Sequence, residues 1–558
     1  MPVFDEKEQE RRLDFLRRQE EEELARVLSG KYGLTYLDLS LVAISSESLK
    51  ILPETEARES QIAPFGRVGK KLSVAVRLPE DPKTRATLQK LTELGYSITL
   101  FMVSEESLKR AWERYGDLSY ATESKAGVFE ISSESVEELI GKVDSVKDIS
   151  ALMKDSISMK RAYRITRILE IVLAGALSTG ASDIHFEPEE KDIRMRFRLD
   201  GVLTDVLTFD KETYHLMLSR VKLLSGLKLN INDEAQDGRF SIKVKETEIE
   251  IRTSILPGSY AESIVMRVLN PESIGVELER MGLEPKLFAI VTTQMQKPTG
   301  MILTTGPTGS GKTTMLYALL KRINQPGTKI ITIEDPIEYH LKGIVQTQVD
   351  KGNYTFSNGL RSALRQDPDV IMVGEIRDHE VAETAVHAAL TGHLVFSTLH
   401  TNNAAGTFPR LVDLGISEKV LGSAINIAMA QRLVRRLCEA CRNKVPATKE
   451  QLETITRVAG AIVDRTLVPQ ELGAVYAPVG CPKCDGVGYK GRVGIFEAVL
   501  MDEKIETIMR EKPSEREIAK AARYQGIPTL QEDGVIKVLR GVTSLDELER
   551  VVDLTQSV

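Results

Sequence analysis

The sequence predicts an α/β protein built on a parallel sheet, and three stretches predict it. Met301-Ile302-Leu303-Thr304-Thr305 is apolar and β-branched and reads as a buried parallel strand. The loop Gly306-Pro307-Thr308-Gly309-Ser310-Gly311-Lys312-Thr313-Thr314 follows at once, and Met315 to Lys321 then has helical composition. Two further apolar runs, Ile330-Ile331-Thr332-Ile333 and Val370-Ile371-Met372-Val373, lead into carboxylates, where open α/β sheets hold their ligands. The glycines let successive backbone N–H groups curl round a polyphosphate, and the helix start adds its positive end. Strand, loop and helix are the context that the G-x-x-x-x-G-K-[ST] pattern requires. Gly306, Thr308, Gly309, Ser310, Gly311, Lys312, Thr313 and Thr314 are therefore expected to cradle a nucleoside triphosphate. Lys312 would reach the β- and γ-phosphates and the Thr313 hydroxyl would bind Mg²⁺.

A chain of 558 residues is long enough for about three or four domains. Its 42% hydrophobic and 28% charged residues leave ample core. A net charge of −7 and a pI of about 5.8 exclude a global basic field for nucleic acid. The first residues mix acids and bases rather than forming a signal peptide, and the longest apolar run, Ile171 to Leu177, is far too short to span a bilayer. A cytosolic location is expected, with any membrane attachment made through a partner.

From the start, Phe4 to Leu28 reads as a charge-laced helix with a seam of Leu13, Leu16, Leu24, Val27 and Leu28. Gly30 and Gly33 end it. Short strands follow at Tyr36 to Leu39, Leu72 to Val76 and Ser97 to Phe101, with a helix from Ser104 to Tyr115 that holds the single tryptophan, Trp112. This is a small α+β domain over 1–118 without a catalytic cluster. The polar stretch 119–158 reads as a linker.

A second α+β unit spans 159–275. It opens with a helix from Ala162 to Leu177 and continues through the strand Ile193 to Leu199, the turn Asp200-Gly201, a helix near His215 to Ser225, and strands around Phe240 to Ile242 and Glu248 to Ser254. Arginines are dense here: Arg194, Arg196, Arg198, Arg239, Arg252 and Arg267. Exposed strand arginines commonly form solvated faces, but a fork facing phosphate is the equal alternative. Arg239, Arg252 and Arg267 are candidates to stabilise charge on a transferring phosphoryl group. The segment Pro271 to Pro285 is the candidate hinge.

The nucleotide region runs over 285–558. Glu334 and Asp335 end one apolar strand and Glu375 follows another; a third, Leu394 to Thr398, leads into Leu399-His400-Thr401. One acid must serve the metal and one must orient water. Glu375 is assigned to Mg²⁺ and Glu334 to the water, although strand-end carboxylates also serve as helix caps. All four cysteines fall in two pairs, Cys438-x-x-Cys441 and Cys481-x-x-Cys484. That pattern points to a structural Cys₄ zinc, with a redox dithiol or two disulfides as weaker readings. Gly486, Gly488, Gly491 and Gly494 mark a turn-rich segment, and Asp502 to Val552 reads as charged helices.

The loop at 306–314, Ile333 to Glu338, Val373 to Asp378 and Thr391 to Thr401 resemble the Walker A, Asp box, Walker B and His box of the secretion ATPases, the motors of type II secretion and type IV pilus assembly. Ala181 to Pro188, Gln236 to Arg239, Gln431 to Cys438, Gly480 to Cys484 and Gly488 to Arg492 resemble the same family. The resemblance implies a RecA-like P-loop ATPase preceded by a PAS-like domain and an amino-terminal docking domain. It also implies His400 as a catalytic-site residue, a zinc element within 438–484, and a homohexamer held at the inner membrane by a platform protein and docking proteins. ATP would drive assembly or extrusion of pilin-like subunits, the middle domain closing over the site from the same or a neighbouring subunit. Shorter retraction motors lack both the amino-terminal domain and the cysteines, which favours assembly or secretion. Arg12-Leu13-Asp14-Phe15-Leu16 departs from the Arg-Leu-Gly opening with which some relatives bind cyclic di-GMP. The rival is a nucleic-acid-translocating RecA-like ATPase, against which stand the acidic pI and the lack of aromatic-and-basic tracts.

Overall fold

The computed structural model describes residues 21–555 apart from 40, 41, 43, 50, 69, 118–122, 125–127, 130–132, 144, 158–160, 246, 272–274, 351, 353 and 512. The chain divides into two compact units, residues 1–129 with 158–165, and 130–157 with 166–558. Arg12 to Leu16 lies outside the described residues; the expected first helix is helical from 21 to 32.

In the first unit, a four-stranded sheet runs in the order Thr35–Tyr36, Ser97–Met102, Lys71–Val76, Ile62–Val68. The expected strand at Tyr36 to Leu39 thus shrinks to two residues, one of them Tyr36. Ile62–Val68 contains Pro64 and Gly66, which hide a strand from sequence patterning; it forms the sheet edge, with a register shift at those residues. Ser104 caps the helix Glu105–Glu113 by accepting from Ser107 N at 3.0 Å, and Trp112 anchors it by donating to the Ile62 carbonyl at 3.0 Å.

In the second unit, the stretch expected as a linker carries the helices Ser133–Ile140 and Val146–Ile157. Val136, Leu139, Val143, Ile149 and Met153, spaced three to six residues apart in polar sequence, are all buried. A Cβ on Gly175 would lie 2.7 Å from Ile149 Cδ1, so the long helix Arg161–Thr179 needs glycine where Val146–Ile157 crosses it.

An antiparallel six-stranded sheet follows, ordered Gln236–Val244, Thr247–Leu256, Ser263–Leu269, Asp183–Pro188, Ile193–Leu199, Val202–Phe209. One face buries Ile184, Phe186, Met195, Phe197, Ile251 and Met266. In register on the other, Arg239 lies opposite Arg252, Arg252 opposite Arg267, Arg267 opposite Asp183, and Asp183 opposite Arg198.

The nucleotide region forms a seven-stranded sheet, ordered Val345–Gln348, Ile330–Glu334, Val370–Val373, Leu394–Leu399, Gly300–Thr305, Ile425–Leu437, Tyr489–Leu500. All neighbours are parallel except the last pair. Alternate residues feed two cores: Met301, Leu303, Ile331, Ile333, Ile371 and Val373 on one face, Ile302, Ile330, Met372 and Phe396 on the other. Of the segment read as turn-rich, 485–488 is turn, with Gly486 and Gly488 at φ of 78° and 82°, while Gly491 and Gly494 lie inside the twelve-residue strand Tyr489–Leu500. Between the cysteine pairs lie a two-stranded sheet, Asn443–Pro446 with Ala474–Ala477, and the helix Lys449–Ala461. Among the described residues no helix is long and apolar enough to cross a membrane.

Candidate functional site

The strand Gly300–Thr305 is buried at every position, and the helix after the glycine loop begins at Lys312. Gly306, Gly309 and Gly311 have φ of 149°, 80° and 91°, so the loop is built in conformations that side chains resist. Thr308, Gly309 and Thr313 are exposed at its mouth, while Ser310 and Lys312 are buried. Lys312 Nζ donates to the carbonyls of Gly306 at 2.7 Å and Pro307 at 3.1 Å. Burial lowers its pKa, with Glu375 opposing that shift and Arg432 reinforcing it.

The two candidate acids sit at different depths. Glu334 is 2% exposed and accepts hydrogen bonds from the Tyr317 hydroxyl, from Thr332 Oγ1 at 2.5 Å and from Gln346 Nε2 at 3.1 Å. The Tyr317 hydroxyl is pushed far up, by burial first and by Glu334 second. Glu375 stands nearer the surface. It pairs with Arg377, and His400 Nε2 lies 3.4 Å from its Oε2. The turn that carries it is pinned by Gly374 N to Ile333 O at 2.8 Å and Ile376 N to Thr398 O at 3.0 Å. Lys312, Glu375, His400, Arg377 and Asp335 therefore meet at the carboxyl ends of the strands, with Glu334 and Tyr317 one layer below.

The three candidate arginines separate. Arg252 donates to the Ile337 carbonyl at 3.0 Å and lies 3.4 Å from Glu338, so it holds the segment that follows Glu334 and Asp335. Burial raises the Glu338 carboxyl, and Arg252 and Arg267 oppose that. Arg267 bonds Asp183 at 2.9 Å, and Arg239, 68% exposed, lies 3.7 Å from Glu250; both partners belong to the arginines' own sheet. Tyr317 and Gln346 escape a reading of the sequence, and Gln431 is marked there only as the start of a stretch resembling the family, without a role. Tyr317 and Gln346 carry no motif of their own, and the contact of Gln431 with the loop spans more than a hundred residues of sequence.

Cys438, Cys441, Cys481 and Cys484 come together with all four Sγ atoms within 4.8 Å of one another. The closest Sγ pairs lie 3.8–3.9 Å apart, far too long for a disulfide. Four sulfurs each about 2.3 Å from a tetrahedral zinc would lie about 3.8 Å apart, so the donor set fits that ion. Burial opposes ionisation of Cys484, but N–H groups of Cys481 and Gly488 at 3.2 Å, with the other thiols, outweigh it and bring the thiol down to about 7. Arg435 lies 4.1 Å over the Tyr489 ring and bonds Glu547 at 2.7 Å, bracing the base of the cluster.

Sequence comparison matches residues 159–550 to the family described as "Type II/IV secretion system protein" and residues 32–122 to the MshEN domain. The chain is 36% identical to the type IV pilus assembly ATPase PilB of Myxococcus xanthus over 95% of this chain and 91% of that protein. It is 42% identical to type II secretion system protein E of Pseudomonas aeruginosa, over 78% of this chain and 84% of that one. Protein E of Aeromonas hydrophila is 44% identical, over 69% and 75%.

Proposed function

Since the chain belongs to the type II/IV secretion system protein family, we propose that it is a RecA-like ATPase whose hydrolysis of ATP drives assembly or extrusion of pilin or pseudopilin subunits in pilus biogenesis or type II secretion. The observation that carries this reading is the convergence of Lys312, Glu375 and His400 at the carboxyl ends of a parallel sheet, beside a glycine loop that opens a helix.

In this reading Lys312, whose Nζ has a third N–H beyond the two on the Gly306 and Pro307 carbonyls, reaches the β- and γ-phosphates of ATP. The Thr313 hydroxyl and the Glu375 carboxylate would hold Mg²⁺, which would neutralise phosphate charge. His400 orients Glu375 from 3.4 Å. Glu334 offers about four lone-pair sites and uses three on Tyr317, Thr332 and Gln346, leaving one for the attacking water. Arg252 is already set against the segment after Asp335. Arg239 and Arg267, exposed on the same sheet face, reach transferring phosphate when the middle domain closes on its own or a neighbouring nucleotide region. The tetracysteine cluster holds one structural zinc, since four thiolates leave no open position. We infer a homohexamer in the cytoplasm, attached to the inner membrane through a platform protein and docking proteins.

The purified chain should hydrolyse ATP with Mg²⁺, and single-stranded DNA should leave the rate unchanged. Stimulation by DNA would restore the translocase reading, and absence of turnover under every assembly condition would remove the motor.

A further inference from the structure

The strand Tyr489–Leu500 carries a bulge beside the tetracysteine cluster. Leu437 pairs with Tyr489 and Arg435 with Arg492, so Lys490 and Gly491 together stand opposite Arg436. A bulge takes backbone groups out of the ladder and turns them elsewhere. Here the N–H of Gly491, a residue with φ of 78°, donates to Asp200 Oδ2 of the middle domain at 2.7 Å. The cysteines hold the chain just before the bulge. Gly488 N donates to Cys484 Sγ at 3.2 Å, and Gly488 O accepts from Cys438 N at 2.9 Å.

Asp200 is built into a rigid turn. With Gly201 it joins the strands Ile193–Leu199 and Val202–Phe209 through a two-residue loop, both residues at positive φ, 49° and 86°. Its carboxylate on a backbone N–H makes a strong, charge-assisted bond. The same cysteine element approaches the middle domain at a second place. Asp485, next to Cys484 and at φ of 51°, lies within electrostatic reach of Lys147 and Asp148 at the start of the helix Val146–Ile157. The Asp200 turn joins the last two strands at one edge of the six-stranded sheet, and Arg239 lies in the strand at the other edge, about 20 Å away at the usual strand spacing.

We propose that Asp200 is a positioning residue and the tetracysteine element its seat: the zinc-loaded cysteines hold the bulge, and the bulge pins one edge of the arginine-bearing sheet to the nucleotide region. The inference rests on the cluster holding zinc and on the middle-domain arginines serving ATP, as proposed above. Pinned at the Asp200 turn, the sheet keeps its place while the Arg239 edge stays free to move. The cysteines thereby affect turnover without affecting nucleotide binding.

The test compares Asp200→Gly with Asp200→Asn in the full chain, both new residues being suited to positive φ. Asparagine keeps an oxygen for the Gly491 N–H, and glycine does not. In Asp200→Gly, hydrogen exchange of the Gly491 amide, read in the peptide 488–493, should quicken about tenfold, the effect of losing one such bond. Zinc should stay at one per chain and the Kd for a non-hydrolysable ATP analogue should not change, while kcat falls about tenfold. Asp200→Asn should stay within about threefold of the wild type in exchange and in kcat. Chelating zinc from the wild type should quicken exchange at 199–203 as Asp200→Gly does, and returning zinc should reverse it. Chelating it from Asp200→Gly should add nothing there, because the two changes break one contact. Unchanged exchange at 488–493 in zinc-loaded Asp200→Gly overturns the proposal, and so does faster exchange with unaltered kcat. Exchange at 199–203 that ignores chelation overturns it as well, as does an Asp200→Gly chain that fails to fold, since a pin between two domains is not what folds either. If the wild type holds no zinc, or Arg239→Ala and Arg267→Ala both leave turnover unchanged, the reading beneath the proposal has failed. If zinc and the arginine effect are present while Asp200→Gly behaves as the wild type, only the role of Asp200 has failed.

Discussion

The strand Ile425–Leu437 carries one centre at its middle and another just past its end, and they are built on opposite terms. At Gln431 and Arg432 it meets the phosphate loop, where Thr304, Ser310 and Gln431 keep polar atoms without partners among the described residues and Lys312 is parked on backbone carbonyls. Seven residues after Gln431, Cys438 joins three other thiols at spacings that already suit a tetrahedral ion, with Arg435 stacked on Tyr489 and bonded to Glu547. One centre leaves its groups uncommitted, so that a ligand can claim them and the geometry can change. The other commits every group, so that the geometry stays fixed. On the function proposed above, the first condition suits a catalytic site and the second a structural one, and a single antiparallel ribbon supplies both.

If the two centres are independent in this sense, loss of one should spare the other, and this carries the largest expected effects. Lys312→Ala should lower ATP turnover by at least about 10³-fold and retain one zinc per chain by elemental analysis. Cys441→Ser should lose the zinc and lower the melting temperature of the carboxyl-terminal region while nucleotide still binds. Loss of zinc in the first variant, or of nucleotide binding in the second, would mean that the ribbon transmits more than this comparison allows.

Within the phosphate end the same contrast recurs between two acids. Glu334→Gln should bind ATP and turn it over about 10³-fold more slowly, because the amide keeps the shape and loses the basicity needed to orient water. Glu375→Gln should weaken the dependence on Mg²⁺ instead. Normal hydrolysis by Glu334→Gln together with trapped ATP in Glu375→Gln would exchange the two roles.

A third, smaller effect separates the arginines. Arg239 is exposed and loosely paired, so Arg239→Ala should lower turnover by about 10²-fold with little change in ATP affinity or melting temperature. Arg252→Ala should lower the melting temperature as well, because it breaks contacts to Glu250, Ile337 and Glu338. If Arg239→Ala changes only the melting temperature, Arg239 belongs with the committed groups.

The smallest effects come from two buried carboxylates along the ribbon, with opposite dependences on pH. Burial would raise the Glu547 carboxyl, but hydrogen bonds from Arg550 and Arg435 outweigh it and hold it below the usual range. Its contribution is therefore present above the ordinary carboxylate pKa of about 4.3 and is lost as pH falls below it. Glu547→Gln should cost about 2 kcal/mol at pH 7, and the difference from the wild type should shrink in acid. Glu497 accepts from Ala404 N at 2.6 Å and Leu530 N at 3.1 Å, and burial raises its pKa. Its contribution is present below about pH 4.3 and is lost as pH rises, so Glu497→Gln should become relatively less destabilising from pH 4 to 8. Melting curves across pH decide both signs.

The features legible in the unfolded chain are those that lie within a short span of it. The phosphate loop is legible because its glycines, lysine and threonine are contiguous and lie between a strand and a helix, so local conformation alone specifies the cradle. The paired cysteines and the apolar runs at 301–305, 330–334 and 370–373 are legible for the same reason. Which distant groups meet them is set by the packing of the folded chain. Gln431 reaches Gly311 across 120 positions of sequence because the Ile425–Leu437 strand pairs with the loop strand. Glu334 closes its strand and is covered by Tyr317, whereas Glu375 lies two residues past the level end of the neighbouring strand and faces His400. Arg252 touches Ile337, whereas Arg239 and Arg267 pair within their own sheet, although all three look alike in the chain. The edge strand with Pro64 and Gly66, and the helices within 133–157, were hidden because their stability comes from burial against other elements rather than from local propensity. Contacts of that kind exist only once the chain has folded back on itself.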